Sequence, residues 1–496
     1  MKILLASSEV APFSKTGGLA DVSRDLPLAL ASQGIEVCVV TPAYRGIWDA
    51  EQPIEETGIQ FEVPIGSKDV PASVLKTTLP SSQVPVLLIK NDAYFDRPQL
   101  YQQNGQDYKD NCERFAFFCK AVMELPRLLG ETFDILHAND WQTGLLPAYL
   151  ATEFAGVPEW ENTASVFTIH NLAYQGIFWH WDMLLTGMDW KYFNWQQMEY
   201  FGELNLMKTG LTFADFITTV SPRYAQEIQG AQAGCGLESV LQFRSKHLFG
   251  ILNGVNYDEW NPATDPHLPA NYSIDDLSGK AVCKAVLQRE FNLPQDPHVP
   301  LIGLVGRLSE QKGIDLAAAS ARKFTESGAA QFVFLGTGEA RYQDELLALN
   351  EAQPRQVGVR LEFSNQLAHL LEAGSDMFLM PSRYEPCGLN QMYSLRYGTP
   401  PIVHETGGLA DTVTNASPET LQAGAANGFS FGKFTQAACD DAINRALAAF
   451  QNSEQWRGIM RTGMNQDWSW DASAAAYAEL YRKALSAKRH GVTTSS

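Results

Sequence analysis

Short apolar, β-branched runs alternate along the chain with longer stretches in which apolar residues recur at helical spacing. The first series of runs comprises Lys2–Ala6, Ile35–Val40, Val86–Ile89, Asp134–His137, Ser165–His170, Phe216–Val220 and Leu248–Leu252. A second comprises Leu301–Gly306, Phe332–Gly336, Val359–Phe363, Met377–Met380 and Pro401–His404. Segments such as Asp110–Leu129, Gly144–Phe154 and Gly388–Gly398 lie between them with helical periodicity. Continuous apolar strands that alternate with helices predict parallel sheets covered on both faces, the doubly wound α/β class. Asn253 to about Asn271 holds three prolines and several Asn and Asp residues, and reads as the crossing point between two domains. The expected division is residues 1–253 and 254–470, with a small, polar, basic and disordered tail at 487–496.

Composition adds limits rather than identity. A length of 496 residues suits two or three domains, and 45% hydrophobic with 19% charged residues is an ordinary globular balance. The formal net charge of −19 repels polyanions, which argues against nucleic acid or an anionic membrane as partner. Seven cysteines without a C-x-x-C pair suggest neither a disulfide framework nor a zinc ribbon. No signal-peptide pattern opens the chain, and no apolar run approaches the ~18 residues of a membrane span. A cytoplasmic protein is expected.

In open α/β sheets, ligands bind beyond the carboxyl ends of the strands, and the unusual polar and glycine-rich segments fall there. Lys15-Thr16-Gly17-Gly18-Leu19-Ala20-Asp21 follows the first strand. Gly17 and Gly18 let backbone approach a ligand, Lys15 adds a positive charge, and Asp21 can accept from sugar hydroxyls. By itself such a loop is as often a tight turn, and it is not the G-x-G-x-x-G dinucleotide fingerprint. Gly306-Arg307-Leu308-Ser309-Glu310-Gln311-Lys312-Gly313 places two cations at a helix start, where they oppose the helix dipole. Arg307 and Lys312 can converge on a diphosphate and meet the charge that develops as it departs. Glu385 in Tyr384-Glu385-Pro386-Cys387-Gly388-Leu389-Asn390 can bind hydroxyls of ribose or glucose, with backbone N–H groups at Cys387, Gly388 and Leu389 turned to the donor; a helix cap is the plainer reading. Thr406-Gly407-Gly408 echoes the first glycine loop and would present amides to the same phosphates. Asp140 and His170 are polar strand-end groups that a sugar could satisfy, whereas His137, flanked by apolar residues, reads as a core histidine. The aromatic residues around Phe178–Phe201 suit either sugar stacking or a core. No D-x-D triplet or H-E-x-x-H pair occurs, so neither a metal nor another cofactor is expected.

Five of these motifs, in this order over Lys2 to about Lys488, resemble bacterial glycogen synthases and plant starch synthases: K-T-G-G-L-A-D-V, H-N-L-A-Y-Q-G, R-L-x-x-Q-K-G, E-P-C-G-L and T-G-G-L-A-D-T-V. The resemblance implies a GT-B architecture of two Rossmann-like domains with an interdomain cleft, and a last helix, about Asp471–Ser486, packed back on the first domain. It implies retaining transfer of glucose from ADP-glucose to the non-reducing 4-hydroxyl of an α-1,4-glucan such as glycogen or maltooligosaccharides. By motif, Lys15, Gly17 and Gly18 belong to the donor loop, Arg307 and Lys312 to the diphosphate, and Glu385 to the donor. Asp140 and His170 would sit by the transferred glucose, with Glu9 and Asp21 on the acceptor side and Asn253 among the substrate contacts. Retention usually suggests a carboxylate nucleophile beside C1, but front-face attack describes this family better, so no nucleophile is assigned. Asn390, Asn139, Cys235 and His404 depart from residues common in the family. A UDP-glucose-preferring or divergent glucan transferase is the alternative. A phosphorylase would need a pyridoxal-phosphate lysine, and a quiet glucan-binding module would have lost Arg307 and Lys312.

Overall fold

The computed structural model describes residues 1–103 and 105–489. The chain divides into two compact units, Met1–Gly254 with the segment from Trp470 onward, and Val255–Ser469. The final helix spans Trp470–Arg489. Residues 487–489, expected to begin a disordered tail, therefore continue the helix, and the rest of that tail lies outside the described residues.

The first unit is built on a nine-stranded sheet. Its order is Leu248–Gly250, Phe216–Thr219, Ala164–Ile169, Ile135–Asn139, Lys2–Ala6, Glu36–Pro42, Pro85–Lys90, Lys68–Thr78 and Glu55–Ile65. The first seven run parallel. The last two form an antiparallel edge hairpin, which corrects the all-parallel expectation. In Glu55–Ile65 only Val63 and Ile65 are buried, and the strand carries charge along the open edge, so it offers no continuous apolar run to read. The parallel strands face cores on both sides. Ile3 and Leu5 pack with the helices Gly18–Ser32 and Trp470–Arg489, while Leu4 and Ala6 face the helix Asn111–Leu129.

Tyr477 and Tyr481 anchor the final helix in one of these cores. Tyr481 bonds His137 Nδ1 at 2.8 Å, and His137 Nε2 meets Thr168 Oγ1 at 2.6 Å. Burial pushes the His137 pKa down to about 3, so the ring is neutral, a core histidine as its apolar flanks suggest. An unfolded His137 titrates near 6.5. This group's share of stability is thus complete above that pH and is lost as pH falls toward 3. Tyr481→Phe strands a buried ring nitrogen and is expected to cost about 1–3 kcal/mol in urea unfolding. An unchanged midpoint would show that the bond contributes nothing.

The second unit is a six-stranded parallel sheet. Its order is Val357–Arg360, Gln331–Leu335, Leu301–Val305, Met377–Met380, Pro401–His404 and Phe429–Phe431. The strand expected at Val359–Phe363 sits earlier, because Phe363 is exposed in the following turn. Phe429–Phe431, too short to stand out by pattern, completes one edge. The helices expected at Gly144–Phe154 and Gly388–Gly398 shorten to Leu145–Ala151 and Asn390–Arg396. In each unit the winding reverses once. The reversal falls between Lys2–Ala6 and Ile135–Asn139 in the first, and between Leu301–Val305 and Met377–Met380 in the second. Ligand sites of open α/β sheets lie at the carboxyl ends of such pairs.

Candidate active site

In the second unit, the reversal brings two loops together. Arg307 follows Gly306 directly after Leu301–Val305, and Ser382 to Glu385 follow Met377–Met380. Asn390 Nδ2 donates to the Val305 carbonyl at 3.1 Å and pins the strand end from which Arg307 emerges. Lys312 ends a short 3₁₀ turn, and Gly313 then adopts φ +66. A Cβ at Gly313 would strike the Pro381 carbonyl, so this glycine lets the Lys312 turn seat against the neighbouring strand's end. There Lys312 Nζ reaches Glu385 Oε2 at 2.5 Å, with Glu385 buried and Lys312 only partly so. Ser382 Oγ donates to the same carboxylate oxygen at 3.0 Å, and His404 Nδ1 holds the Ser382 carbonyl at 2.8 Å. Arg383 lies over the Phe434 ring and meets Glu310 at 3.4 Å on the rim.

The Thr406-Gly407-Gly408 turn does something other than expected. The Gly408 N–H donates to the Glu385 and Pro386 carbonyls, each at 3.2 Å, and so is not offered to a phosphate. A Cβ at Gly407 would strike the Glu385 carbonyl, and one at Gly408 the Cys387 carbonyl. These glycines serve close backbone packing that presents Glu385. Cys387 is buried, Gly388 sits at φ +68, and Gln391 Nε2 bonds the Cys387 and Gly388 carbonyls at 3.1 and 3.0 Å. Leu389 caps the helix Asn390–Arg396, so residues 387–389 approach its positive end.

In the first unit, Glu9 is buried and engaged by the glycine loop. It accepts from Thr16 N at 2.5 Å, Thr16 Oγ1 at 2.6 Å, Gly17 N at 3.3 Å and Tyr101 Oη at 2.7 Å. Glu9 thereby braces this loop. Lys15 pairs with Asp21 at 2.7 Å, across the first turn of the helix that Gly18 begins. Asn253 is buried, and its Oδ1 has no hydrogen-bond partner among the described residues.

Asp140 and His170 come together at the reversal. Asp140 holds φ +57, unusual for a residue with a side chain, and its Oδ1 accepts the His170 N–H at 2.7 Å. His170 Nε2 meets Asn139 Oδ1 at 2.9 Å, while Asn139 Nδ2 donates to the Ala6 carbonyl at 3.1 Å. A carbonyl can only accept, so the Asn139 amide must turn its oxygen to the ring. Nε2 therefore carries the proton and Nδ1 the lone pair. Burial pushes His170 down to about 3, which keeps it neutral. This role for Asn139 escaped sequence reading, which marked it only as a departure; its signal was a strand-end amide beside Asp140.

Burial raises the Asp140 pKa to about 7, opposed by the N–H groups of His170 and Asn171 and reinforced by Glu9. Because the unfolded value is 3.8, Asp140 stabilises the fold fully below that pH, and the contribution is lost as pH rises through about 7. If its carboxylate binds substrate, turnover will rise with pH through an apparent pKa near 7. That limb should vanish in Asp140→Asn; its persistence there would assign the titration elsewhere.

Residues 2–243 match the starch synthase catalytic domain, and residues 288–458 match glycosyl transferases group 1. A glycogen synthase of Rhodopirellula baltica is 45% identical over 501 residues, covering 99% of each chain. Glycogen synthase 2 of Geobacter sulfurreducens is 46% identical over 489 residues, covering 99% of this chain and all of its own. The catalytic domain of starch synthase IV from Arabidopsis thaliana, solved bound to ADP and acarbose, matches with a TM-score of 0.90 and 32% identity. That match covers 98% of this chain and 99% of the other. Sucrose-phosphate synthase from Thermosynechococcus elongatus shares the fold alone, at a TM-score of 0.59 and 17% identity.

Proposed function

The chain belongs to the glycogen and starch synthase family of GT-B glycosyltransferases, and on that premise we propose that it transfers glucose with retention from ADP-glucose to the non-reducing 4-hydroxyl of an α-1,4-glucan. The observation that carries the reading is the Lys312–Glu385 pair, seated beside the strand end that bears Arg307. Arg307 and Lys312 neutralise the diphosphate as the bond from C1 to its phosphate oxygen breaks. Glu385 and Ser382 aim Lys312, while Cys387, Gly388 and Leu389 line the donor. The acceptor 4-oxygen bonds C1 on the face the phosphate leaves, and its proton passes to the departing phosphate oxygen. Asp140 accepts from glucose hydroxyls, and neutral His170 stabilises the oxocarbenium through its backbone carbonyl or ring. Lys15, Gly17 and Gly18 contact the donor; Asp21, and Asn253, whose Oδ1 has no partner among the described residues, complete the substrate contacts.

The positive charge in this scheme comes from the chain itself. Among the described residues no group of three His, Cys, Asp or Glu side chains could hold a metal. Transfer is expected to proceed unchanged in EDTA, and a loss restored by a divalent cation would overturn metal independence. No helix among the described residues is long and apolar enough to cross a membrane. All seven cysteines are free, which supports placement in a reducing cytoplasm.

A radiolabelled transfer assay with ADP-glucose and UDP-glucose, on glycogen and on maltooligosaccharides, tests the proposal. Preference for ADP-glucose supports it, preference for UDP-glucose selects the alternative donor, and no transfer to either acceptor rejects it.

A further inference from the structure

Two backbone carbonyls beside the donor cations lie beyond the reach of the sheet's own ladder, and a side chain holds each of them. The first belongs to Val305, which stands opposite Leu335 on one side. The Gly306 N–H donates to the Leu335 carbonyl at 3.1 Å across a trans peptide. The C=O and N–H of such a peptide point opposite ways, so the Val305 carbonyl faces the other neighbour, Met377–Met380. Pairing with that strand covers only Ile302 with Met377 and Gly303 with Phe378. Carried on, the register would aim the Val305 carbonyl at the nitrogen of Pro381, which bears no hydrogen. Asn390 Nδ2 supplies the missing donor at 3.1 Å.

The second carbonyl is that of Ser382. The N–H of the same peptide, on Arg383, donates to the Gln311 carbonyl at 2.8 Å, one residue before Lys312. His404 takes the other end at 2.8 Å, and because a carbonyl only accepts, Nδ1 carries the proton. His404 ends the strand Pro401–His404, and its ring lies 5.4 Å from those of both Phe431 and Phe434. One peptide is thus gripped at both ends. The hydroxyl of Ser382 in turn holds the Glu385 oxygen that bonds Lys312.

Each grip is close in sequence to a cation. Val305 is followed by Gly306 at φ +150 and then by Arg307, and the chain is caught again where the Leu308 N–H meets the Thr337 carbonyl at 2.9 Å. Asn390 Nδ2 and His404 Nδ1 each act on backbone, and the backbone carries the charge. Displacing a charged group by about 1 Å at a reacting centre can cost about 10²-fold in rate. Both side chains also stand among the departures from residues common in the family, so the motifs that name Arg307 and Lys312 leave these two supports out.

We propose that Asn390 and His404 are positioning residues for the donor cations. Asn390 sets the strand end from which Arg307 emerges, and His404 sets the peptide against which the Lys312–Glu385 pair is built. The proposal rests on the reading of Arg307 and Lys312 as the charges that meet the departing diphosphate.

Double-mutant cycles on the whole enzyme test it, with ADP-glucose varied at saturating glycogen. Asn390→Leu keeps the bulk and His404→Phe keeps a ring between Phe431 and Phe434, while each deletes the donor. Alanine replaces either variant that fails to fold. Each change is expected to lower kcat by about 10-fold and to leave KM for glycogen unchanged. In Lys312→Ala, His404→Phe should cost less than about 3-fold more, and Asn390→Leu should behave likewise in Arg307→Ala, because a cation that is gone cannot be misplaced. His404→Asn, whose amide can stand in for Nδ1, should recover most of the rate. Wild-type kcat in either single variant overturns that residue's assignment. Losses that multiply in full within the cycles, or that follow thermal stability alone, make the bonds structural and also overturn it. Impaired Arg307→Ala and Lys312→Ala beside unimpaired Asn390→Leu and His404→Phe defeat the positioning roles alone. Wild-type turnover in Arg307→Ala and Lys312→Ala instead defeats the diphosphate reading, and the positioning roles fall with it.

Discussion

Lys312→Ala is expected to lower kcat by about 10²-fold or more while the protein stays folded. A single preorganised charge facing a departing group is worth about 2.7–4 kcal/mol of transition-state stabilisation, the range measured for oxyanion-hole donors. The competing effect is structural, because removing Lys312 leaves the buried Glu385 without its cation. Complete burial of both partners would make that costly, about 3–5 kcal/mol. Lys312 is partly exposed, however, and Ser382 Oγ still donates to the carboxylate, so the stability loss should stay well below that figure. Lys312→Arg keeps the charge but replaces a point charge with a planar fork, and should recover only part of the rate. Steady-state kinetics beside a denaturant curve separate the two effects. Near-wild-type turnover in Lys312→Ala would remove Lys312 from the diphosphate, whereas lost activity together with lost folding would count only as instability. The Lys312→Ala/Glu385→Gln pair then measures how far Glu385 acts through Lys312. Strong non-additivity is expected, because the carboxylate's bond to Lys312 is what aims the ammonium.

The parallel strands were legible because helices cover both faces, which forces continuous apolar runs such as Ile3 to Leu5. The edge hairpin Glu55–Thr78 was not, since a strand buried on one face shows only a weak alternation and its register depends on a partner that pattern reading cannot supply. Motif order brings Arg307, Lys312 and Glu385 forward as candidates, but contact between Lys312 and Glu385 depends on the strand order reversing beside Leu301–Val305, which no spacing reveals. Composition also misassigned Gly408. A glycine that faces a ligand and one that faces a backbone carbonyl look identical in sequence, and only the packing against Cys387 separates them. Asn139 is the converse case, where the substituted residue carries a definite duty in fixing the His170 tautomer. The tryptophans from Trp179 to Trp195 could be placed in or out of a core only once their exposure was known.

Gly17→Val supplies the second large effect, a loss of about 10²-fold or more in kcat/KM with no loss of stability. Gly17 sits at φ −158, ψ −165, an extended backbone that any residue adopts, and a Cβ built there meets nothing within 4 Å. Neither conformation nor packing therefore demands a glycine. Replacing it should if anything stabilise the fold by about 0.4–1 kcal/mol, through a less flexible unfolded chain. What a side chain would obstruct is approach to the loop that Glu9 braces, which ends at the start of the helix Gly18–Ser32. Gly17→Ala should fall between wild type and valine, as expected for a steric rather than a conformational effect. Gly408→Ala is the opposing control. Its methyl would strike the Cys387 carbonyl, so it should lose stability and activity together. Thermal melts alongside donor-saturation kinetics distinguish the two glycines. Full turnover in Gly17→Val would mean that the donor never comes near this loop, and Lys15 and Gly18 would leave the donor site with it.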